Sequence, residues 1–162
     1  MLSPTQARRA HRCSYDPAEV EKHGILLCTL FYRAPEMLFG NVSFDAKVDI
    51  WSLGLVAVEA SGHPFMKKLT GVSYSQTGYM AALFGQLGTP TCEEITRLPR
   101  WPHKPPAFKT KPWPAKVRTV MGGALLDMIG NQMLAWAPAR RPTAAEVRGR
   151  GDDRLFARLI RA

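Results

Sequence analysis

Residues 29–62 carry the groupings best suited to do chemistry. The stretch opens on Thr29 and on Tyr32-Arg33-Ala34-Pro35-Glu36, a loop that places hydroxyls, a guanidinium and a carboxylate close together. It then enters an apolar segment from Ser43 whose one early acid, Asp49, directly precedes Ile50-Trp51-Ser52-Leu53-Gly54. A carboxylate that early in an almost wholly apolar helix needs a partner, because burying an unpaired charge is expensive. Cys13, Cys28 and Cys92 are odd in number, scattered, and include no C-x-x-C pair. They argue against a disulfide framework or a zinc site, and for a reducing compartment. No metal site is expected.

A second stretch has its own chemistry. Residues 97–118 hold seven basic residues, six prolines and no acid, with Trp101, Phe108 and Trp113 among them. Prolines at that density forbid regular helix or a central strand, so an extended surface loop is expected. Basic residues interleaved with aromatics suit single-stranded nucleic acid, and the prolines suit an aromatic-lined groove. The plainer reading is an excursion whose aromatics pin it to the core.

The elements that must position these residues follow from punctuation and period. Residues 1–24 look irregular, with Pro4 and Pro17 interrupting and no apolar face. Residues 25–32 form a short apolar run, strand-like or a buried loop. Pro35 suits the first turn of a short helix ending near Gly40. Ser43 or Asp45 can cap the next helix, which Gly62 and Pro64 stop. Its apolar residues cover most of its circumference, which predicts a place in the middle of the fold. Residues 65–78 are polar and turn-rich, and 79–87 give a compact apolar helix closed by Gly88-Thr89-Pro90. Residues 121–136 are helical, with Leu125, Ile129 and Met133 on one face. Thr143 and Glu146 form a capping box for a further helix, and residues 155–160 could add a last turn. The chain reads as mainly α.

Bulk properties set the outer limits. At 162 residues the chain is long enough for one domain with a core. Apolar content of 46% and charged content of 22% fit a globular protein rather than a disordered one. The formal charge of +9 permits phosphates, acidic peptides or anionic membranes, but a solvated basic surface is the simpler reading, and nucleic acid is not the expected partner. Ser52, Gly54 and Glu59 break the longest apolar run, so no membrane span is expected. The arginines at 8, 9 and 12 lack an amphipathic face, and an untargeted protein of the cytoplasm and/or nucleus is expected.

Three blocks in this order resemble the C-terminal lobe of a eukaryotic protein kinase. They are Thr29-Leu30-Phe31-Tyr32-Arg33-Ala34-Pro35-Glu36, Asp49-Ile50-Trp51-Ser52-Leu53-Gly54 and Ala137-Pro138-Ala139-Arg140-Arg141-Pro142. Tyr32-Arg33, the run Leu83–Thr91 and the proline-rich excursion resemble the cyclin-dependent and mitogen-activated (CMGC) branch in particular. The resemblance covers residues 25–147, and leaves 1–24 as an irregular leader or activation-segment remnant and 148–162 as a basic tail. It implies the helical lobe of the kinase fold without the N-terminal β-lobe. It further implies that Glu36 pairs with Arg141, that Trp51 belongs to the same structural core, and that Asp49 accepts backbone N–H groups of a catalytic loop. Thr29, Cys28 and Arg33 would shape the substrate-docking pocket, where proline is usual after the phosphorylated Ser or Thr.

The motifs that bind ATP and Mg2+ in this family do not occur in these residues. There is no G-x-G-x-x-G, no V-A-I-K, no H-R-D and no D-F-G. His11-Arg12-Cys13 begins as H-R-D would, but lacks the Asp, and Tyr15 and Ala18 stand where Lys and Asn would follow. If Ser3–Arg8 aligns with D-F-G-L-A-R, Ser3 replaces the metal ligand. The usual activation-loop phosphorylation positions fall on Gly24 and Leu26, which have no hydroxyl. The expectation is therefore a partial, proline-directed serine/threonine kinase domain, inactive alone, with no catalytic residue or cofactor in this chain. The alternative is a pseudokinase-like scaffold. Its partners would be protein substrates or a regulatory protein. Asp49, deprived of its usual donors, is expected to be under-satisfied or exposed.

Overall fold

Proline and glycine divide the chain into short helices, and the computed structural model follows that division. It describes residues 13–14, 29–41, 43–62 and 76–150. The expectations placed on Ser3, Gly24, Leu26, Cys28 and the last turn at 155–160 lie outside those residues. A 3-10 turn, Leu30–Tyr32, leads into α1, Pro35–Leu38. Then come α2, Lys47–Ala60; α3, Gln76–Leu87; and α4, Glu93–Thr96. The chain closes with α5, Ala115–Asp127, a π-helical segment, Met128–Met133, and α6, Ala144–Arg150. Among the described residues the one strand pairing is antiparallel, β1 (Cys13–Ser14) against β2 (Ser43–Phe44), with Cys13 opposite Phe44. The fold is mostly helical.

Helix ends show why these residues stop and start where they do. Pro35 begins α1, where its missing N–H is no loss. Asp45 Oδ1 accepts the Lys47 N–H at 2.9 Å, so Asp45 serves the start of α2 while Ser43 lies in β2. Thr143 and Glu146 form the reciprocal capping box: Thr143 Oγ1 accepts from Glu146 N at 3.2 Å, and Glu146 Oε2 accepts from Thr143 N at 2.6 Å. Gly88, at φ +80°, ends α3 in a conformation that side chains rarely adopt, and lets Thr110 approach closely.

Several expectations need correction. Residues 30–32 form a 3-10 turn, not a strand. Helix α3 begins at Gln76, inside the stretch expected to be turn-rich, and α5 begins at Ala115, inside the expected loop. The prolines of that loop end at Pro114, so nothing beyond it opposes helix. Helix α5 bends at Gly122 (φ 72°, ψ 170°), and the π segment ends at Met133, short of Trp136. Leu125, Ile129 and Met133 are all buried, as their spacing predicts.

Helix α2 is not enclosed on every side. Ile50, Trp51, Leu55 and Val58 are buried, and Gly54 lets the chain at Leu134 come so close that a Cβ would stand 2.9 Å from Leu134 Cδ2. Leu53 and Val56, however, are 39% and 47% exposed. With Asp49 and Ala60 they form a surface stripe at helical spacing. Among the described elements, those that pack most closely on α2 are the π segment and the turns at 30–32 and 138–140, and the stripe stays exposed.

The proline-rich excursion is pinned at both ends. Trp101 packs edge-on against Phe39 (4.9 Å) and Phe84 (5.7 Å), and the same cluster holds Ile95. Trp113 fills the space beside Gly130: a Cβ there would lie 2.6 Å from Trp113 Nε1. Between them the backbone is tied to the end of α3, with Thr89 N donating to Phe108 O and Lys111 N to Gln86 O, both at 3.0 Å. Phe108 is not an anchor; it is 43% exposed. Among the described residues no helix is long and apolar enough to cross a membrane, and no three His, Cys, Asp or Glu residues cluster as metal ligands.

Two glycines separate chain entropy from close packing. Gly123, exposed directly after the break at Gly122, has no positive φ and no atom beyond its own turn within 4 Å of an added Cβ. Gly123→Ala should therefore stabilise by about 0.4–1 kcal/mol by restricting the unfolded chain. Gly130→Ala should do the reverse, costing about 1–3 kcal/mol as Trp113 is displaced. Urea unfolding of both variants checks the opposite signs.

Candidate functional site

The loop that could present a substrate is short, and α2 fixes it. Thr29 is exposed at the start of the 3-10 turn, and its carbonyl accepts the Tyr32 N–H at 3.0 Å. Ser52 Oγ, one helical turn into α2, donates to Tyr32 O at 2.8 Å. Two turns further on, Glu59 Oε2 accepts the Tyr32 hydroxyl at 2.7 Å. Phe31 packs edge-on against Tyr79 of α3, with ring centroids 5.7 Å apart. The half-buried Arg33 follows, its carbonyl 3.5 Å from the Tyr79 hydroxyl. A loop of five residues is thus held from both helices at once.

Immediately after it the chain is locked by a buried ion pair. Glu36 and Arg141 are each 2% exposed. Arg141 Nη1 donates to Glu36 Oε1 and Nη2 to Glu36 Oε2, both at 2.7 Å, the planar fork-on-fork geometry that makes such pairs strong. Its remaining N–H groups reach carbonyls: Nε to Ala135 O at 2.8 Å, Nη1 to Lys47 O at 3.1 Å and Nη2 to Trp136 O at 3.1 Å. All five guanidinium donors are therefore used, so the buried cation leaves none unsatisfied. The guanidinium carbon lies 5.0 Å from the ring centroid of Trp51, which is wholly buried and packs on Trp136 at 5.8 Å. The indole N–H groups of Trp51 and Trp136 are buried and find no acceptor among the described residues, so these rings contribute by packing. Lys47 Nζ donates back to Arg141 O, joining the start of α2 to the same centre.

The residues singled out in the sequence thus divide into groups. Glu36, Trp51 and Arg141 come together. Thr29 and Arg33 lie on the clamped loop that leads into them, and Cys28 lies outside the described residues. Asp49 stands apart. It is exposed on the first turn of α2, where the helix N-terminus favours a negative charge, and no described residue donates to its carboxylate. The catalytic-loop donors implied for Asp49 are not among its described neighbours.

Sequence reasoning missed Tyr32, Ser52 and Glu59 as a set. In the sequence Glu59 stands only as an interruption of an apolar run, and Ser52 as that and as one member of the Asp49–Gly54 block. The available signal was an acid near the end of the same helix that carries Asp49, in a segment with few places for a charge.

The family profile described as "Protein kinase domain" matches residues 16–150. The chain belongs to the protein kinase family. Among curated kinases, it is similar to "Glycogen synthase kinase 1" of Pyricularia oryzae, with 31% identity over 136 residues that cover 80% of this chain and 33% of that protein. It is also similar to "Protein kinase gsk3" of Schizosaccharomyces pombe, with 30% identity over 141 residues covering 83% of this chain and 35% of that protein. The chain spans about a third of the length of these kinases.

The Tyr32–Glu59 bond makes a pH prediction. Donation to the Glu59 carboxylate raises the Tyr32 phenol above its ordinary pKa, and burial and the negative charge push the same way. The folded state therefore holds the proton more tightly than the unfolded one. The stability this contributes is complete below the unfolded phenol pKa of about 10 and is lost as pH rises through the folded value. Tyr32→Phe should cost about 1.5 kcal/mol, a gap that is constant from about pH 7 to pH 9 and narrows above about pH 10. Denaturant titrations of both proteins across that range measure it.

Proposed function

We propose that this chain is the substrate-docking lobe of a serine/threonine protein kinase of the cyclin-dependent and mitogen-activated branch, directed to Ser or Thr followed by proline. Its partners are protein substrates, and its place is the cytoplasm and/or nucleus. One observation carries the reading. The loop from Thr29 to Arg33 is clamped onto α2 by Ser52 and Glu59 and locked at its exit by the Glu36–Arg141 pair. Phosphoryl transfer depends on positioning and on stabilising charge at the phosphates. A rigid exposed loop serves the first of these, by holding a peptide in register. The two fungal relatives, both named as kinases, support the family activity for the protein as a whole.

The second requirement, stabilising the phosphates, needs groups that these 162 residues do not supply: a Gly-rich loop, a strand Lys, the catalytic Asp and Asn, and the metal-binding Asp. A lobe that docks substrate should thus depend on an ATP-binding half for turnover. The scaffold alternative draws on a different observation, the exposed Phe108 set among Lys104, Lys109 and Lys111 on a backbone tied to α3.

Two arms test the docking reading. The purified chain, incubated with magnesium, labelled ATP and a Ser-Pro peptide, should transfer no phosphate; clear turnover contradicts the assignment of roles. In fluorescence anisotropy the same labelled peptide should bind, and should weaken when its proline becomes alanine or when Arg33 becomes alanine. Equal binding of both peptides favours the scaffold instead.

A further inference from the structure

The clamped loop meets α3 near its start, at Tyr79. At the other end of the same helix, Gln86–Leu87, lies a separate hollow of about 320 Å³, within the range that small ligands occupy. Its walls are the turn after α3, the returning limb of the proline-rich excursion, and the chain from the π segment to Arg140. Each wall is fixed. Lys111 N donates to Gln86 O and Thr110 Oγ1 to Leu87 O, both at 3.0 Å, and Trp113 is seated in the space that Gly130 leaves. The π turn at Met128–Met133 supplies part of the lining, and such turns recur at functional sites.

The chemistry of the lining is one-sided. Among the described residues that line it, Lys111 and Arg140 are the only charged ones, and none is Asp or Glu. Both are exposed, and neither forms an ion pair with a described residue. Glu94 acts on the neighbouring Cys92 thiol from outside the hollow, and Arg140 opposes it. Burial raises that thiol, so it stays protonated at neutral pH and adds no negative charge. The apolar lining includes the indoles of Trp113 and Trp136 with Leu134. Unopposed cations select an anion, while indoles and an aliphatic side chain select an apolar body. A bare inorganic ion satisfies only the first of these.

We infer that this hollow is a binding site for a small amphiphilic oxyanion. An aromatic or aliphatic body rests against Trp113 and Trp136, and its carboxylate or phosphate is held by Lys111 and Arg140. The site is independent of the substrate-docking loop and does not rest on its assignment.

Phenyl phosphate and 3-phenylpropionate serve as probes of the two oxyanions, titrated into the full chain with the indole N–H signals followed by NMR. At least one probe should shift the Trp113 signal, identified by its loss in Trp113→Phe, while Trp101 stays unmoved. The double variant Lys111→Gln/Arg140→Gln, whose side chains are exposed and whose unfolding midpoint should be unchanged, should weaken that probe by about tenfold or more. Benzyl alcohol and inorganic phosphate should each bind about tenfold more weakly than the better probe. The inference is overturned if neither probe moves Trp113, if the double variant binds as well as the parent, or if inorganic phosphate or benzyl alcohol matches the probes.

Discussion

The structure depends on one buried charge pair being completely satisfied. Removing a carboxylate and a guanidinium from water costs several kcal/mol per ion, and attraction alone does not reliably return it. Here Glu36 takes two of the five Arg141 N–H groups, and the carbonyls of Lys47, Ala135 and Trp136 take the rest. Those acceptors come from α1, from the start of α2 and from the stretch directly after the π segment. The pair therefore ties the chain around 36–47 to the chain around 135–141, remote from it in sequence, and Trp51 lies against the guanidinium.

From that centre the loop at residues 29–33 acquires its shape. Its exit is fixed at Glu36, its middle by Ser52 and Glu59 on α2, and its side by Tyr79 on α3. In the proposed docking role, rigidity in this loop lowers the ordering cost of binding a peptide. The same α2 turns another face outward, where Leu53, Val56 and Asp49 stand at the surface. One helix thus supplies both the core and an open apolar stripe.

Local rules and short motifs made much of this legible in the sequence. Pro35, Gly88, and the Thr143–Glu146 box act through neighbours a few residues away, so helix boundaries near them could be read directly. The link between Glu36 and Arg141 was visible only through the family resemblance, since nothing local joins residues so far apart. Tyr32 and Glu59 had no such guide: a tertiary hydrogen bond leaves no period. The absent catalytic-loop motif pointed to an under-satisfied or exposed Asp49, and Asp49 is exposed. Its helix, apolar nearly all round, pointed to enclosure, yet burial is decided by what packs on a face, and nothing described covers this one. The π turn and the seat that Gly130 makes for Trp113 depend on close backbone approach, which composition does not report. The twofold role of the excursion, pinned by Trp101 and Trp113 but exposed at Phe108, was half legible, because aromatic residues alone do not say which of them point inward.

A double-mutant cycle on Glu36 and Arg141 is the most direct test of the central claim. Glu36→Gln, Arg141→Met and the combined variant would be compared with the parent by urea unfolding. Each single change should cost about 3–5 kcal/mol, since it strands a buried charge or the groups that satisfied it. The combined variant should then resemble Arg141→Met alone, about 3–5 kcal/mol less damaging than the sum of the two. Additive losses, or single costs within about 0.5 kcal/mol of the parent, would show that the pair does not hold these segments together.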